Sequence, residues 1–338
     1  MPLPDQLARA IEQQTSTFEA KALARAAEEL SQRYRLDSRA PKERLKSPVE
    51  RAAYLVTRLP ATYAAVCAVF EEIKQRVHDE IRSLLDLGAG PGTAAWAATE
   101  AFSELEQITL VERDAEFVSL GKALAQHSHS AALRDARWVQ AELGSQAELS
   151  PHDLVVFSYS LGEISSPHAL LDKNWKAARL ALAVVEPGTP LGFGTVLKAR
   201  DRLIAAGAHL AAPCPHELQC PMAAAGNDWC HFAVRLERSR LHRQAKSASV
   251  GYEDEKFSYV VAARSEVQRA RARIIRHPAQ HKGHIRLELC APQGLKSVVV
   301  TRSDREAFRQ ARRAAWGDEW NSESLGSSSG DVRTKEQK

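Results

Sequence analysis

The sequence of 338 residues has no run of eighteen apolar residues, and its first thirty residues lack the apolar stretch of a signal peptide. The same thirty residues contain five acids, whereas mitochondrial presequences are poor in acids. From these absences we expect no membrane partner and a place in the cytoplasm of a bacterium. Because 44% of the residues are hydrophobic, the chain can build a core, and we expect a globular protein of one or two domains.

Cysteine is scarce, with five residues in the whole chain, and an odd number cannot pair completely in disulfides. A reducing cytoplasm also disfavours disulfides, so metal or redox chemistry is the natural alternative for clustered thiols. Cys214, Cys220 and Cys230 fall within one short segment, and Cys290 follows in the strand-like "HIRLELCAP". Cys67 lies in an apolar helical pattern, which is typical of a small buried side chain.

The segment 211–231 that carries three of these cysteines also contains three prolines, which predicts an irregular loop. A loop of this length inside a compact domain needs something to order it, and a metal site would do so. Four thiolates can ligate zinc or an iron–sulfur cluster, and the absence of C-x2-4-C knuckles leaves the choice open. His216 and His231 are further candidates, as zinc ligands or as hydrogen-bond donors to cluster sulfur. The alternative is four unrelated thiols.

The net charge of +4 is unevenly distributed, because residues 233–313 hold 19 Lys and Arg against 8 Asp and Glu. Local excess of this kind favours a polyanionic partner such as RNA. We expect Arg269, Arg271 and Arg273 to contribute phosphate contacts. The alternative is a solvated helical face over "EVQRARARIIR".

The order of predicted elements indicates an α/β fold with a doubly wound, Rossmann-like parallel sheet. Residues 1–80 form a helical N-terminal region, interrupted at Pro60, and residues 81–200 form the Rossmann-like core. Residues 201–320 form a cysteine-rich, basic part that completes the sheet, and residues 321–338 form a disordered tail. Within the core we predict strands at 81–87, 107–112, 137–143, 153–160 and 191–197, with a helix over 168–185.

The loop "LDLGAGPGTAAW" after the first core strand carries three glycines, Gly88, Gly90 and Gly92. Glycine permits positive φ and close approach of a ligand to the backbone, and the next helix begins with unpaired amides. Thr93 stands where the dinucleotide fingerprint requires its third glycine, which disfavours an NAD enzyme. Asp86 can face a cationic ligand, and Glu112 ends the second strand, where an acid can accept ribose hydroxyls. The alternative is a tight turn beside a surface acid.

These residues resemble the class I methyltransferases that bind S-adenosylmethionine. The resemblance implies that Gly88, Gly90 and Gly92, with Asp86, surround the amino-acid part of the cofactor and that Glu112 holds its ribose. It also places Glu142, in "VQAEL", near the adenine.

Several longer motifs between residues 45 and 320 resemble the mitochondrial small-ribosomal-subunit assembly methyltransferase-like family and its bacterial relatives. They are "TRLPATYAAV", "APCPHELQCPM", "WCHFAVRLERSRLHRQAK", "YEDEKFSYVVAAR", "KGHIRLELCAPQG" and "ARRAAWGDEW". The resemblance implies a methyltransferase sheet with a cysteine-rich metal-binding insertion, and association with the small ribosomal subunit and its rRNA. We expect a monomer. It also implies an iron–sulfur cluster, with 4Fe–4S favoured and zinc as the alternative, ligated by Cys214, Cys220, Cys230 and Cys290.

The activity stays open at the level of sequence. The segment "FSYSLGEI" follows the fourth strand, where base N-methyltransferases often carry Asn or Asp followed by Pro-Pro-aromatic. Ser158, Ser160 and Glu163 can line a pocket there, but none is an obvious general base, so we assign no catalytic residue. One hypothesis is an rRNA methyltransferase, and a second is a catalytically inactive ribosome-binding assembly factor. A third is a zinc-stabilised methyltransferase that acts on a small molecule or a protein.

Overall fold

The structure is a computed structural model that describes residues 2–36, 45, 47–145, 150–164, 167–246 and 249–322. Residues 323–338 of the predicted tail lie outside the described residues. The helical N-terminal region comprises three helices: α1 (Asp5–Thr15), α2 (Ala20–Leu36) and α3 (Pro48–Arg76).

Helix α3 is the central helix of the N-terminal region. Its start follows from the sequence, because the hydroxyl of Ser47 accepts the amide of Glu50 at 3.3 Å and Pro48 occupies the first helical position. The predicted interruption at Pro60 is wrong, since the helix continues through it. Pro60 and its neighbours are buried, so packing offsets the one backbone hydrogen bond that proline removes.

Length and composition would allow α3 to cross a membrane. However, 83% of its most apolar eighteen-residue window is buried inside the fold. The apolar composition of this helix is therefore that of a core helix.

The larger sheet has eight strands and begins with five parallel ones in the order β3-β2-β1-β4-β5. The sheet continues through β8, which runs antiparallel to β5 and pairs with both β6 and β7. Its strands are β1 (Ser83–Leu87), β2 (Gln107–Glu112), β3 (Arg137–Gln140), β4 (His152–Ser158), β5 (Ala178–Pro187), β6 (His209–Ala212), β7 (Phe232–Glu237) and β8 (Tyr252–Ala263). The core helices are α4 (Thr93–Ala101), α5 (Ala115–Ala125), α6 (Ala131–Arg134), α7 (Pro167–Ala177) and α8 (Pro190–Ala205). The predicted doubly wound α/β sheet is confirmed.

Two segments of the core differ in secondary structure from the prediction: part of a predicted helix is a strand, and a predicted strand is part of a helix. The predicted helix over 168–185 ends at Ala177, and the apolar residues that follow it form β5. The predicted strand at 191–197 lies inside α8, which begins where the Thr189 hydroxyl accepts the Gly192 amide at 3.1 Å. The first error arises because β5 is buried in the middle of the sheet and lacks the alternation that marks a half-exposed strand. The second arises from the strand-like composition of residues 191–197.

A second sheet of five strands follows residue 263 and has its own apolar core. The expectation that residues 201–320 complete the first sheet therefore applies only to β6, β7 and β8. The second sheet consists of β9 (Ala272–Ile274), β10 (Ala279–His281), β11 (His284–Ala291), β12 (Gly294–Thr301) and β13 (Glu319–Trp320). The remaining helices are α9 (Pro221–Ala225), α10 (Arg240–Ala245) and α11 (Arg305–Arg313), the last packed on β11 and β12.

The parallel part of the larger sheet reverses its strand order at β1, which lies between β2 and β4. In open α/β sheets, ligands bind in the crevice at the carboxyl ends of the strands where the order reverses. The glycine loop leaves β1 at this end. The fold therefore predicts a ligand site at the carboxyl ends of β1, β2 and β4.

Candidate functional site

The glycine loop is fixed against the end of β2. The amides of Gly88 and Ala89 both donate to the carbonyl of Val111, at 2.9 and 3.0 Å. Gly88 has a φ of +76°, and a Cβ at this position would lie 2.4 Å from the Cβ of Ser160. Gly90 has a φ of +54°, and a Cβ there would meet only the Tyr54 hydroxyl, at 3.9 Å. The space in front of Gly90 is therefore open to a ligand.

Asp86 lies at the end of β1 and is completely buried. Neither of its carboxylate oxygens makes a hydrogen bond of normal geometry. Burial, together with the nearby Glu112 carboxylate, raises the pKa of Asp86 to about 8, against a smaller opposing effect of the Ala95 amide. A buried carboxyl without hydrogen-bond partners destabilises the fold, and a cationic ligand would supply the positive charge and the donors that the surrounding protein does not.

Glu112 ends β2 and lies across the glycine loop. Its two oxygens accept the amides of Gly90 and Asp114, at 2.8 and 2.9 Å. Burial raises the pKa of Glu112, and these amides act in the opposite direction. Each carboxylate oxygen keeps further acceptor capacity, so Glu112 can also accept hydroxyl groups of a ligand.

One cavity joins these residues at the switch point of the sheet. It encloses about 1120 Å³, including its open mouth. Five of the six residues predicted to bind the cofactor line this cavity: Asp86, Gly88, Gly90, Glu112 and Glu142. Gly92 does not line it. Gly92 starts α4 with a φ of +85°, and its added Cβ would face Leu110 and Trp138 in the protein interior.

The outer part of the cavity contains polar groups from several elements. The side chain of Glu142 is about half exposed and lies 3.5 Å from the guanidinium of Arg113, which is also 3.8 Å from Glu163. The Ser160 hydroxyl donates to the Leu87 carbonyl at 2.6 Å, so it braces the loop. Ser158 also lines the cavity, and its buried hydroxyl has no hydrogen-bond partner among the described residues.

Tyr54, Arg58 and Tyr159 are among the cavity residues that sequence reasoning missed. Tyr159 has a φ of +57°, which is unusual for a residue other than glycine. Its hydroxyl donates to Glu255 at 3.0 Å, and Arg58 lies 3.5 Å from the same carboxylate. The motif "TRLPATYAAV" contains Arg58, but no local signal shows that α3 reaches the cavity.

The four cysteines 214, 220, 230 and 290 line a second, mainly apolar cavity, which encloses about 620 Å³ including its mouth. Burial and the nearby thiols of Cys214, Cys290 and Cys220 raise the pKa of Cys230 well above its ordinary value. The predicted position of Cys290 in a strand is confirmed, although this strand, β11, belongs to the second sheet. Within the described ranges, no three His, Cys, Asp or Glu side chains are close enough to ligate a single metal ion.

The remaining predicted residues lie at different distances from the second cavity. His216 lines it, and its Nε2 is 3.9 Å from the Cys290 sulfur. The His231 Nδ1 donates to the Trp229 carbonyl at 3.0 Å, and the His231 ring stacks on the Trp229 ring. Cys67 is buried in α3, as predicted, and takes no part in this cavity.

Two buried arginines border the cysteine cavity. The Arg200 Nε donates to the Cys214 sulfur at 3.4 Å, its Nη2 donates to the carbonyls of His216 and Leu218, and its Nη1 donates to Asp201. Arg273 is 2% exposed and donates to both oxygens of Glu72, at 2.9 and 3.1 Å. Positive charge at these positions suits a group with several thiolates.

The structure corrects the expectation that three arginines of the basic segment contact RNA. Arg273 is buried, so it cannot reach a phosphate. Arg269 is 2.6 Å from Glu217, which neutralises it locally. Of the three, only Arg271 is exposed.

Comparison with known proteins identifies the family of the chain. The sequence model of the family described as Mitochondrial small ribosomal subunit Rsm22 matches residues 48–321. The chain belongs to the Rsm22 family. The family resemblance of the cysteine and carboxyl-terminal motifs is thus confirmed.

Among curated relatives, the human Ribosome assembly protein METTL17, mitochondrial, is 29% identical over 289 residues, with 78% of this chain and 61% of that protein covered. The Rsm22-cox11 tandem protein 2, mitochondrial, of Schizosaccharomyces pombe is 26% identical over 327 residues, with coverage of 79% and 42%. The chain thus spans about three fifths and two fifths of the lengths of these Rsm22-related proteins.

Two solved structures illustrate what the fold is similar to. A SAM dependent methyltransferase from Aquifex aeolicus is 14% identical, with a TM-score of 0.40, and 65% of this chain and 99% of that chain are covered. Magnesium protoporphyrin IX methyltransferase from Synechocystis is 11% identical, with a TM-score of 0.36 and coverage of 66% and 90%.

Proposed function

We propose that this member of the Rsm22 family binds S-adenosylmethionine in the cavity at the ends of β1, β2 and β4. The observation that carries the proposal is Asp86, a fully buried carboxyl on the cavity wall whose oxygens lack hydrogen bonds of normal geometry. S-adenosylmethionine has an ammonium and a sulfonium group, which offer the positive charge that the surroundings of Asp86 lack. It also has ribose hydroxyls, which can donate to Glu112 beside Gly90.

When bound, S-adenosylmethionine supplies a methyl group activated on sulfur. The chain's own residues would bind and orient the cofactor. Asp86 would hold its cationic end, the open face of Gly90 would admit the cofactor, and Glu112 would accept its ribose hydroxyls. We assign Glu142, near the mouth, to the adenine side. The protonated hydroxyl of Tyr159 donates to Glu255, and burial raises the Tyr159 pKa well above its ordinary value, so Tyr159 is not a general base.

We propose further that Cys214, Cys220, Cys230 and Cys290 hold an iron–sulfur cluster. Support comes from their common apolar cavity and from the guanidinium groups of Arg200 and Arg273 at its border. A cluster places metal and sulfide between its thiolates and therefore needs more room than a single zinc ion. Analysis of anaerobically purified protein for iron, acid-labile sulfide and zinc separates the two alternatives.

For the chain as a whole we propose a role in assembly of the small ribosomal subunit, in the cytoplasm of a bacterium and as a monomer. The names of the family and of the human relative support the role, as does the basic segment at residues 233–313. A second candidate is assembly without methyl transfer. The segment after β4 favours it, because Ser160 and Tyr159 are both engaged in internal hydrogen bonds.

Labelled methyl transfer tests the choice between these two functions. Purified, cluster-loaded protein is incubated with methyl-labelled S-adenosylmethionine and small subunits isolated from cells that lack the protein, and co-sedimentation is measured in parallel. Label in small-subunit RNA supports the methyltransferase, whereas co-sedimentation without label supports the assembly factor. If the protein neither co-sediments with small subunits nor transfers label to their RNA, the ribosomal role is contradicted.

A further inference from the structure

A row of arginines on and before α11 stands out in the basic segment. All five are exposed, and the four within the helix lie opposite Ala307 and Ala311, which are buried against the second sheet. We call this set the arginine stripe; its members are Arg302, Arg305, Arg309, Arg312 and Arg313.

The arginine stripe differs from most other arginines of the segment in its pairing. Arg235 lies 2.7 Å from Asp254, Arg238 lies 3.2 Å from Glu253, and Arg269 and Arg273 also have carboxylate partners. In the part of the chain that the structure describes, no member of the arginine stripe forms an ion pair with a carboxylate. Like charges at helical spacing repel one another, so the stripe is a surface that a polyanion would stabilise.

An aromatic cluster lies close to the end of the stripe. Trp316 follows Arg313 by three residues, so their Cα atoms are at most about 11 Å apart. The Trp316 ring makes edge contacts with His231 and His277, at centroid distances of 4.8 and 4.9 Å. The guanidinium of Arg276 is 5.8 Å from the Trp316 ring, and His277 is exposed at the outer side of the cluster.

An exposed histidine ring beside a row of cations has a specific chemical meaning. Unpaired bases of single-stranded RNA stack on aromatic and histidine rings and on guanidinium planes, while the backbone phosphates contact arginine. A lipid interface favours exposed tryptophan and tyrosine rings, whereas the exposed ring of this cluster is that of His277. The combination therefore favours single-stranded RNA over an anionic membrane.

We propose that the arginine stripe and the His277 side of the Trp316 cluster form the RNA-binding surface of this protein, which takes a single-stranded segment. The stripe holds phosphates, and His277 stacks on a base. The inference rests on the proposed ribosomal role for the identity of the RNA. This surface excludes Arg269, which pairs with Glu217, and Arg273, which is buried against Glu72.

Charge reversal on the stripe tests the phosphate contacts. The variant Arg305→Glu, Arg309→Glu, Arg312→Glu is compared with a matched control of equal charge change, Arg9→Glu, Lys21→Glu, Arg25→Glu, at exposed positions of α1 and α2. Binding of a short labelled single-stranded RNA is followed by fluorescence anisotropy over a range of salt concentrations. Three lost phosphate contacts should lower the log–log salt slope by about 2 in the stripe variant, and the control should keep the wild-type slope.

The stacking contact is tested separately with His277→Ala. This variant should bind the same RNA about fivefold more weakly, with an unchanged salt slope, because it loses a base contact and no phosphate contact. Thermal unfolding of every variant verifies that it is folded. A stripe variant with the wild-type slope, or equal losses in the stripe variant and its control, would overturn the surface.

Vesicle binding and co-sedimentation distinguish the RNA surface from a membrane-binding surface and from a ribosomal role that uses another face of the protein. Wild-type protein that binds phosphatidylserine vesicles through the stripe but binds no RNA would overturn the proposal in favour of a membrane. Stripe variants that co-sediment with small subunits as well as wild type does would overturn the surface and leave the proposed function standing. Wild-type protein that binds the RNA but not small subunits would support the surface and contradict the ribosomal role.

Discussion

Replacement of Asp86 by asparagine is expected to stabilise the protein without ligand and to weaken its binding of S-adenosylmethionine. Asp86 is buried without a hydrogen bond of normal geometry, and its pKa rises from 3.8 to about 8 in the fold. The folded state therefore binds a proton more tightly than the unfolded state. The stability that the protonated carboxyl contributes is complete below about pH 4 and is lost as the pH rises to about 8.

The size of the effect follows from the shift in pKa. Each pKa unit corresponds to about 1.4 kcal/mol, so the cost of ionised Asp86 has an upper bound of about 6 kcal/mol. Between pH 5 and pH 8, the free energy of unfolding of wild type should fall by up to about 4 kcal/mol relative to Asp86→Asn. Because both proteins share every other titrating group, this difference isolates Asp86.

The assay is denaturant unfolding of both proteins at pH 5 and pH 8, with Asp153→Asn as a control from the same sheet. Asp153 accepts the amides of Arg82 and Ser83, at 3.0 and 2.9 Å, so its replacement should destabilise the protein at both pH values by about 1–3 kcal/mol. Asp86→Asn should also bind S-adenosylmethionine ten- to a hundredfold more weakly at pH 8, from the loss of about 1.5–3 kcal/mol. Destabilisation by Asp86→Asn at pH 8, with unchanged binding, would contradict the role assigned to Asp86.

Three further predictions concern the loop, a buried ion pair and the cysteines. Gly90→Val should abolish binding of S-adenosylmethionine in calorimetry, because its side chain enters the cavity, whereas Gly283→Val, also at positive φ but in open space, should keep it. Arg273→Glu should lower the free energy of unfolding by about 3 kcal/mol or more, since Glu72 loses one of its two buried arginine partners and faces a new carboxylate, and Arg271→Glu, at an exposed site, should have little effect; equal stability of both variants would contradict this. Cys67→Ser should leave the metal content unchanged, whereas serine at any one of the cavity cysteines should lower the iron and sulfide content and the melting temperature. Wild-type protein that contains no metal when it is made anaerobically would contradict this prediction. The cysteines to be replaced are Cys214, Cys220, Cys230 and Cys290.

The parallel sheet and most of the candidate cofactor site could be predicted because their signals are local. A strand, a glycine turn and a helix occur in one short stretch, and the position of Glu112 follows from the length of one βα unit. The start of α8 also had a local signal, Thr189 followed by Pro190, which was outweighed by the strand-like composition of residues 191–197. The helix pattern assigned to β5 failed because a fully buried strand has no alternation to detect.

Contacts between distant parts of the chain account for what the sequence could not predict. Tyr159 reaches Glu255 across 96 residues, and Arg273 reaches Glu72 across 201 residues, so neither pairing leaves a local pattern. The second sheet was missed because three of its strands have only two or three residues, although the hairpin of β11 and β12 had a visible alternation. The domain boundaries, the cluster, the rRNA partner and the cellular location stay predictions.

Calorimetric titration of S-adenosylmethionine into the folded full chain is the decisive measurement for the proposed cofactor site. We expect binding at one site per chain, weakened by Asp86→Asn and lost in Gly90→Val, with Gly283→Val as wild type. Absence of binding to wild-type protein that unfolds cooperatively, or equal affinity in wild type and Gly90→Val, would show that this cavity does not hold S-adenosylmethionine.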